Sequence, residues 1–234
     1  MAIIKTDQTD CYDAEGQLTD CSKSGQDGEM RAGSSWPSPR FETRSEIVMD
    51  RCTGLMWPTN GSLNDFPLTW DEAHDYLREV NRESMFGFSD WQLPARSQLF
   101  GLVSHARINP ALPSGVPFEN VFSGYYWTSS PCSGYENQAW SVHLGGARVV
   151  RGMKHRSYMV WPVRSHRGVG AADMAPAAEN KGRRAVAQSS AKSKPVHRWE
   201  SDSEAVHDRH NGLTWLKAAG PFMDSLTWSE AFEQ

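Results

Sequence analysis

RFETRSEIVMDRCTGLMWPTNGSLNDFPLTWDEA, Arg40 to Ala73, decides the architecture, because the chain writes it a second time. The far copy is RWESDSEAVHDRHNGLTWLKAAGPFMDSLTWSEA, Arg198 to Ala231, with Arg40 aligned on Arg198, 158 positions on, and no gap. Arg40, Glu42, Ser45, Glu46, Val48, Asp50, Arg51, Gly54, Leu55, Trp57, Leu68, Thr69, Trp70, Glu72 and Ala73 all recur as identical residues. Solenoid units repeat every ~20 to 50 residues, so a period this long belongs to duplicated domains. The second copy reaches Gln234 where its first helix should begin, and it therefore reads as the opening of a domain.

The bulk numbers set bounds. Mean hydropathy is low, −0.60, yet ten Trp supply large units of apolar burial, so the chain reads as globular. A net charge of −4 is too mild to point to a nucleic acid or a membrane surface. No apolar run approaches the ~20 residues of a membrane span. The start, MAIIKTDQTD, lacks the apolar core of a secretory signal and taken literally reads as unexported. The cysteines point the other way. Cys11 and Cys21 bracket CYDAEGQLTDC, whose Asp13 and Gly16 are turn residues, and a disulfide closing such a loop stabilises by roughly 3 kcal/mol. Bridges belong to oxidising compartments. Cys52 and Cys132 remain, as a second bridge or as two free thiols, and no pair has the spacing of a structural zinc site.

Taken in order, residues 1–39 are polar and Gly/Ser-rich, with Pro37 and Pro39 excluding a helix, and read as an extended lead-in. Ile47–Met49 and Thr53–Trp57 predict two short strands around a turn at Asp50 to Cys52. Thr69 and Glu72 form a capping box, and Trp70, Ala73, Leu77 and Val80 make one apolar stripe, predicting a helix that packs on a sheet until Gly87 breaks it. A second helix is predicted over Ala95 to His105, with Leu99, Leu102 and Val103 inward, and Asn109 to Phe122 reads as loop. Strands are predicted at Tyr125–Thr128, Ala139–Leu144, Ala147–Arg151 and Tyr158–Arg164, with Gly145-Gly146 as a two-residue hairpin turn and Pro162 at an edge or bulge. Helices followed by an antiparallel meander give α+β. Residues 168–197, rich in Ala, Ser, Lys and Gly without an aromatic residue, read as a flexible linker. The domains are thus 40–167, joined by the lead-in 1–39, and an incomplete copy over 198–234.

The motifs also carry a resemblance. Pro39-Arg40-Phe41, D-x-x-T-G-L-M-W (Asp50–Trp57), T-W-x-E-A (Thr69–Ala73), D-W-x-L-P (Asp90–Pro94), Y-W-T-S-S (Tyr126–Ser130), A-W-S-V (Ala139–Val142) and V-W-P-V-R (Val160–Arg164) occur in this order. They resemble the domain of unknown function 1566 family, also called the C-terminal domain of the Legionella collagen-like adhesin. The resemblance covers roughly residues 6–166 and resumes at 198; Gln92 replaces the family's usual Arg, and Cys52 and Cys132 are not usual members. It implies a C-type-lectin-like fold, two helices packed on a small antiparallel sheet with long irregular loops, shared with formylglycine-generating enzymes and with retroelement-diversified binding proteins. It also implies a bacterial surface, exported or periplasmic domain, the naming adhesin being a binder of sulfated glycosaminoglycans.

No catalytic constellation appears. A formylglycine-generating enzyme needs two neighbouring cysteines where this chain has only Cys132, and neither Ser104-His105 nor Ser165-His166 lies in a nucleophile elbow. His207 and His210 have ligand spacing, but the first copy has Met49 and Cys52 there, so no metal is expected. Calcium, which needs six to eight oxygens, finds no Asp-rich loop; Pro117-Phe118-Glu119-Asn120 has the wrong order for a lectin site, and no cofactor is expected. One local feature stands out. Arg148, Arg151, Lys154, His155, Arg156, Arg164, His166 and Arg167 collect without an acidic residue, near Tyr125, Tyr126, Tyr135 and Trp140. The bland alternative is a solvated basic face; the sharp one is a site for an anionic glycan built from Arg148, Arg151, Lys154, Arg156, Tyr135 and Trp140. The expected function is non-catalytic binding of an extracellular glycan or protein ligand, with a diversified protein-binding domain as the alternative reading and a formylglycine-generating-type enzyme as the third. The sequence leaves the oligomeric state open.

Overall fold

A computed structural model describes residues 4–166, 198–218 and 230–232. They fall into two compact units, one of residues 6–10 with those from 35 onward, the other of residues 4–5 and 11–34 with those from 198 onward. The expected linker 168–197, and Arg167, lie outside the described residues.

In the lead-in, β1 (Cys11–Tyr12) and β2 (Leu18–Thr19) pair antiparallel, and Cys11 and Cys21 form the expected disulfide. Asp13 closes the turn: its carboxylate accepts from the amides of Glu15 and Gln17, while Gly16 takes φ +78°. A single helical turn, α1 (Asp27–Met30), follows.

The main unit is built on β3 (Phe41–Arg44), β4 (Ile47–Asp50) and β5 (Leu55–Pro58), an antiparallel meander whose first strand the sequence reading missed. Side chains alternate across it. Leu55 and Trp57 enter one apolar cluster with Leu99, Leu102, Val142, Leu144 and Trp161. Ile47 and Met56, on the other face, enter a second with Ala73, Leu77, Val80, Trp91 and Trp127. The sheet therefore divides the core in two. The turn after β4 is fixed by Asp50, buried, which accepts from Arg40 Nε (3.1 Å) and Nη2 (3.0 Å), the Cys52 amide and the Thr53 hydroxyl.

The predicted helix is α2 (Trp70–Arg82), with Thr69 and Glu72 forming the capping box and Ala73, Leu77 and Val80 buried. It ends before Gly87, giving way to a 3-10 turn at Met85–Gly87. The second helix is cut short: α3 spans only Arg96–Phe100. Beyond it the Ser104 amide is taken by the Ala111 carbonyl, so Leu102 and Val103 are buried from turns.

Three further strands, β6 (Tyr125–Pro131), β7 (Gln138–His143) and β8 (Arg148–Met153), form a second antiparallel sheet. Leu144 leaves the ladder, bonding Gly124 and Ala111 through its backbone, so the hairpin loop is Leu144–Ala147, wider than the expected two residues. The expected strand Tyr158–Arg164 is mostly something else. Only β9 (Arg164–Ser165) pairs as a strand, with β5; Tyr158 bridges Leu68, Met159 bridges Tyr126, and Val163 bridges Gln92.

The second copy supplies β10 (Trp199–Ser201), β11 (Ala205–Asp208) and β12 (Leu213–Leu216). Their pairing repeats that of β3, β4 and β5 residue for residue: Trp199↔Asp208 matches Phe41↔Asp50, and Asp208↔Leu213 matches Asp50↔Leu55. Arg198 pairs with Asp208 as Arg40 does with Asp50, and Gly212 and Gly54 share φ +70°. Burial differs: Trp57 is wholly covered, Trp215 is 55% exposed.

The α+β, C-type-lectin-like expectation is thus corrected. The described residues are mostly β, four small antiparallel sheets with one helix longer than two turns, because α3 stops at Phe100: the Leu102 and Val103 amides bond only three residues back and the Ser104 amide turns to Ala111.

Candidate binding surface

The basic and aromatic residues lie on and beside the β6–β7–β8 sheet. Trp140 of β7 and Arg151 of β8 are direct cross-strand partners, on the same face. Arg151 also lies over the Tyr135 ring, 4.7 Å from its centroid, and hydrogen bonding to Tyr135 raises its pKa above the ordinary value. Tyr135 is carried by the tight loop after β6, where its amide donates to the Cys132 carbonyl and Gly134 takes φ +77°. A fourth member comes from elsewhere. Arg96 opens α3, its amide held by Ser130 Oγ (3.0 Å), and its guanidinium lies over Trp140 at 4.6 Å. Arg96, Trp140, Arg151 and Tyr135 therefore form a platform of two cations and two rings.

Lys154 belongs to a neighbouring group. Its ammonium lies 4.5 Å over the Trp70 ring, while its carbonyl accepts from the Trp70 amide at the start of α2. The far side of this arrangement is His74, whose ring meets Trp70 at 4.2 Å and whose pKa is lowered chiefly by burial. Arg156 stands in the following turn near Tyr158, a ring stacked on Tyr125 at 4.9 Å and tilted against Trp127 at 4.3 Å. Burial of the Tyr158 hydroxyl raises its pKa, the Tyr125 ring adds to this, and Arg156 opposes it.

Not every expected residue joins. Arg148 is three positions from Arg151, so it points from the opposite face, beside His143. Arg164 is buried: it binds Asp90 twice (2.6 and 3.2 Å) and lies 3.8 Å over Phe88. Its charge is used in holding the fold. Cys52 and Cys132 do not bridge; both are free, Cys52 in the turn after β4 and Cys132 at the end of β6, in different sheets. Burial raises the Cys52 pKa. Ser104 Oγ donates to Asp7 at 2.6 Å and His105 turns its ring to Phe100, so this pair is not arranged as nucleophile and base. His207 bonds Thr214 and Asp202, and among the described residues no group of three metal-ligating side chains occurs.

The model for the Lcl C-terminal domain family matches residues 46–164. The chain belongs to this family. The match begins at β4 and closes on Arg164, so the Lcl C-terminal domain contains both apolar clusters, the platform and the Lys154–Trp70 pair, and leaves the disulfide and the second copy outside. No curated protein matches the chain.

Arg96 and Trp70 were missed by the sequence reading. They lie 44 and 84 residues from their partners, and no local pattern marks such a contact.

Proposed function

We propose that this Lcl C-terminal domain is a non-catalytic ligand-binding module of a bacterial surface or exported protein, and that its ligand is an anionic, sulfated glycan. The observation that carries the reading is the Trp140↔Arg151 pair, flanked by Arg96 over Trp140 and by Arg151 over Tyr135. Such a platform offers ring faces to sugar C–H surfaces and guanidinium forks to sulfates. Lys154 and Arg156, on the turn after β8, extend the positive surface. The Cys11–Cys21 disulfide fits a compartment outside the cytosol. The stretch from residue 198 repeats the β3–β4–β5 meander of this domain, strand for strand and in the same register.

The test is binding of a heparin-derived oligosaccharide and of its desulfated counterpart to the full chain at two salt concentrations. The sulfated ligand should bind and be released as salt shortens the screening length to about 10 Å or less. Arg96→Ala and Arg151→Ala should each weaken it about three- to tenfold, as loss of an exposed charge-assisted contact implies. Equal binding of both glycans, or binding untouched by both substitutions, sinks the reading. Salt-resistant binding of a protein partner that is lost with Trp140→Ala alone indicates a protein-recognition domain instead.

A further inference from the structure

A cavity of about 550 Å³ opens beside the outer end of the β3–β4 hairpin. Its floor is apolar: Ile47 and Met56 from one face of the sheet, Phe86 and Phe88 from the segment after α2. Arg164 also lines it but presents no free charge, being bound to Asp90 and to Met56 Sδ with its plane against Phe88. The rim carries opposite charges. Arg44 and Glu46 flank Ser45 in the hairpin turn, and His166 stands nearby. The Arg44 side chain is 69% exposed and makes only a 3.8 Å contact with Glu42, while Glu46 uses its carbonyl, not its carboxylate, to hold Thr59.

We propose that this cleft is a binding site for a small zwitterion with an apolar body, a free aromatic or large aliphatic α-amino acid. The volume lies within the ~300–1,000 Å³ of small-molecule sites, which pair apolar walls with a few placed polar groups. Here the walls take the side chain, Arg44 takes the carboxylate and Glu46 the ammonium. One residue of the cleft wall holds a strained backbone. The φ +53° of Ser45 is what the two-residue β3–β4 turn requires, whereas Phe86, in the cleft lining, sits in the left-handed region (φ +56°) at a cost of ~1–2 kcal/mol. That conformation sets Phe86 against Trp91, at 6.2 Å, with the ring lining the cleft. Strain of this kind gathers at ligand sites. The second copy supplies the contrast. Residues that hold the sheet recur there, but Arg44, Ile47 and Met56 are answered by Asp202, Ala205 and Thr214. The same three strands in the same register thus form there with Glu46 kept as Glu204 but without the cation and the apolar floor of this cleft.

The experiment is titration calorimetry of the full chain with L-phenylalanine, 3-phenylpropionate, phenethylamine and L-alanine. L-Phenylalanine should saturate with a Kd on the order of 1 mM or below, about tenfold tighter than either singly charged analogue, and L-alanine should not saturate. Arg44→Gln should reduce L-phenylalanine to the level of phenethylamine and leave phenethylamine unchanged; Glu46→Gln should do the mirror image with 3-phenylpropionate. Neither substitution should alter binding of the sulfated oligosaccharide, which separates this site from the platform. Absence of saturation by L-phenylalanine overturns the proposal. So does equal binding of all four compounds, or indifference of L-phenylalanine to both substitutions.

Discussion

Two copies of one ion pair, in one local geometry but in different surroundings, provide a controlled perturbation. Arg40 and Asp50 have side chains 6% and 1% exposed, and Arg40 Nη2 also donates to the Gly101 carbonyl at 2.7 Å. Arg198 repeats the two bonds to Asp208, itself only 2% exposed, but the arginine is 51% exposed and is what covers that carboxylate from water. Replacing Arg40 by Met leaves the Asp50 carboxylate buried, with only the Cys52 amide and the Thr53 hydroxyl in place. Removing one partner of a buried pair costs ~3–5 kcal/mol, and the two surviving bonds place this case at about 3 kcal/mol. Arg40 also lies over Trp36 and Phe41 at 4.4 and 4.7 Å, and the Met chain replaces part of that packing. Arg198→Met removes the same bonds where water replaces the guanidinium, so the effect should be far smaller. Urea unfolding followed by tryptophan fluorescence reads both. The main transition should move to lower urea in Arg40→Met and stay in place in Arg198→Met. A loss below about 1 kcal/mol in Arg40→Met, or equal shifts in the two variants, refutes the argument that burial and not local geometry sets the value of this pair.

Four further outcomes follow from the packing and the capping. Gly152→Ala puts a methyl group 2.5 Å from Tyr158 and 2.9 Å from the buried Trp127, so thermal unfolding should show a loss of ~1–3 kcal/mol; unchanged stability would mean that the two rings move apart freely. Thr69→Ala removes the cap of α2 and should cost about 1 kcal/mol by denaturant melts. Glu72, bonded to the Thr69 amide and hydroxyl, has its pKa lowered below 4.5, so its contribution is present above that pH and fades as pH falls through the lower folded value; Glu72→Gln should flatten this part of the acid limb of a stability profile. Under native conditions iodoacetamide should label the half-buried Cys52 faster than the buried Cys132, and mass spectrometry of a time course with the opposite order would contradict their placement.

Much of this was legible where physics is local. Thr69 and Glu72 declare a helix start by chemistry that needs three residues, and the stripe through Ala73, Leu77 and Val80 names its buried side. The Gly145-Gly146 turn was enough to place Trp140 opposite Arg151, since a hairpin centred there fixes every pair outward from it, and the wider loop keeps the same register. Alternation likewise separates Arg148 from Arg151. What failed is what tertiary contacts decide. Leu99, Leu102 and Val103 suit a helix, but it stops at Phe100, after which the Leu102 and Val103 amides bond three residues back and Ser104 bonds Ala111. The run Tyr158–Val163 has the composition of a strand, yet its backbone partners belong to three different elements. Arg164 reads as one more surface cation until Asp90, 74 residues earlier, claims it. Arg96 was invisible for the same reason.

That threaded segment governs the order in which the domain is completed. Tyr158 exchanges both backbone bonds with Leu68, Met159 bonds Tyr125 and Trp127, Val163 exchanges both with Gln92, and the Trp161 indole reaches Pro58, 103 residues back. Its side chains Val160, Trp161 and Val163 are fully buried and belong to both apolar clusters. A nascent chain emerging from its N-terminal end cannot close either cluster until this last stretch of the family domain is available. The contacts that lock it span most of the domain, which makes the closing step slow relative to the local hairpins. Until then the strands stand half-built and unlocked. The domain becomes rigid only when this segment arrives.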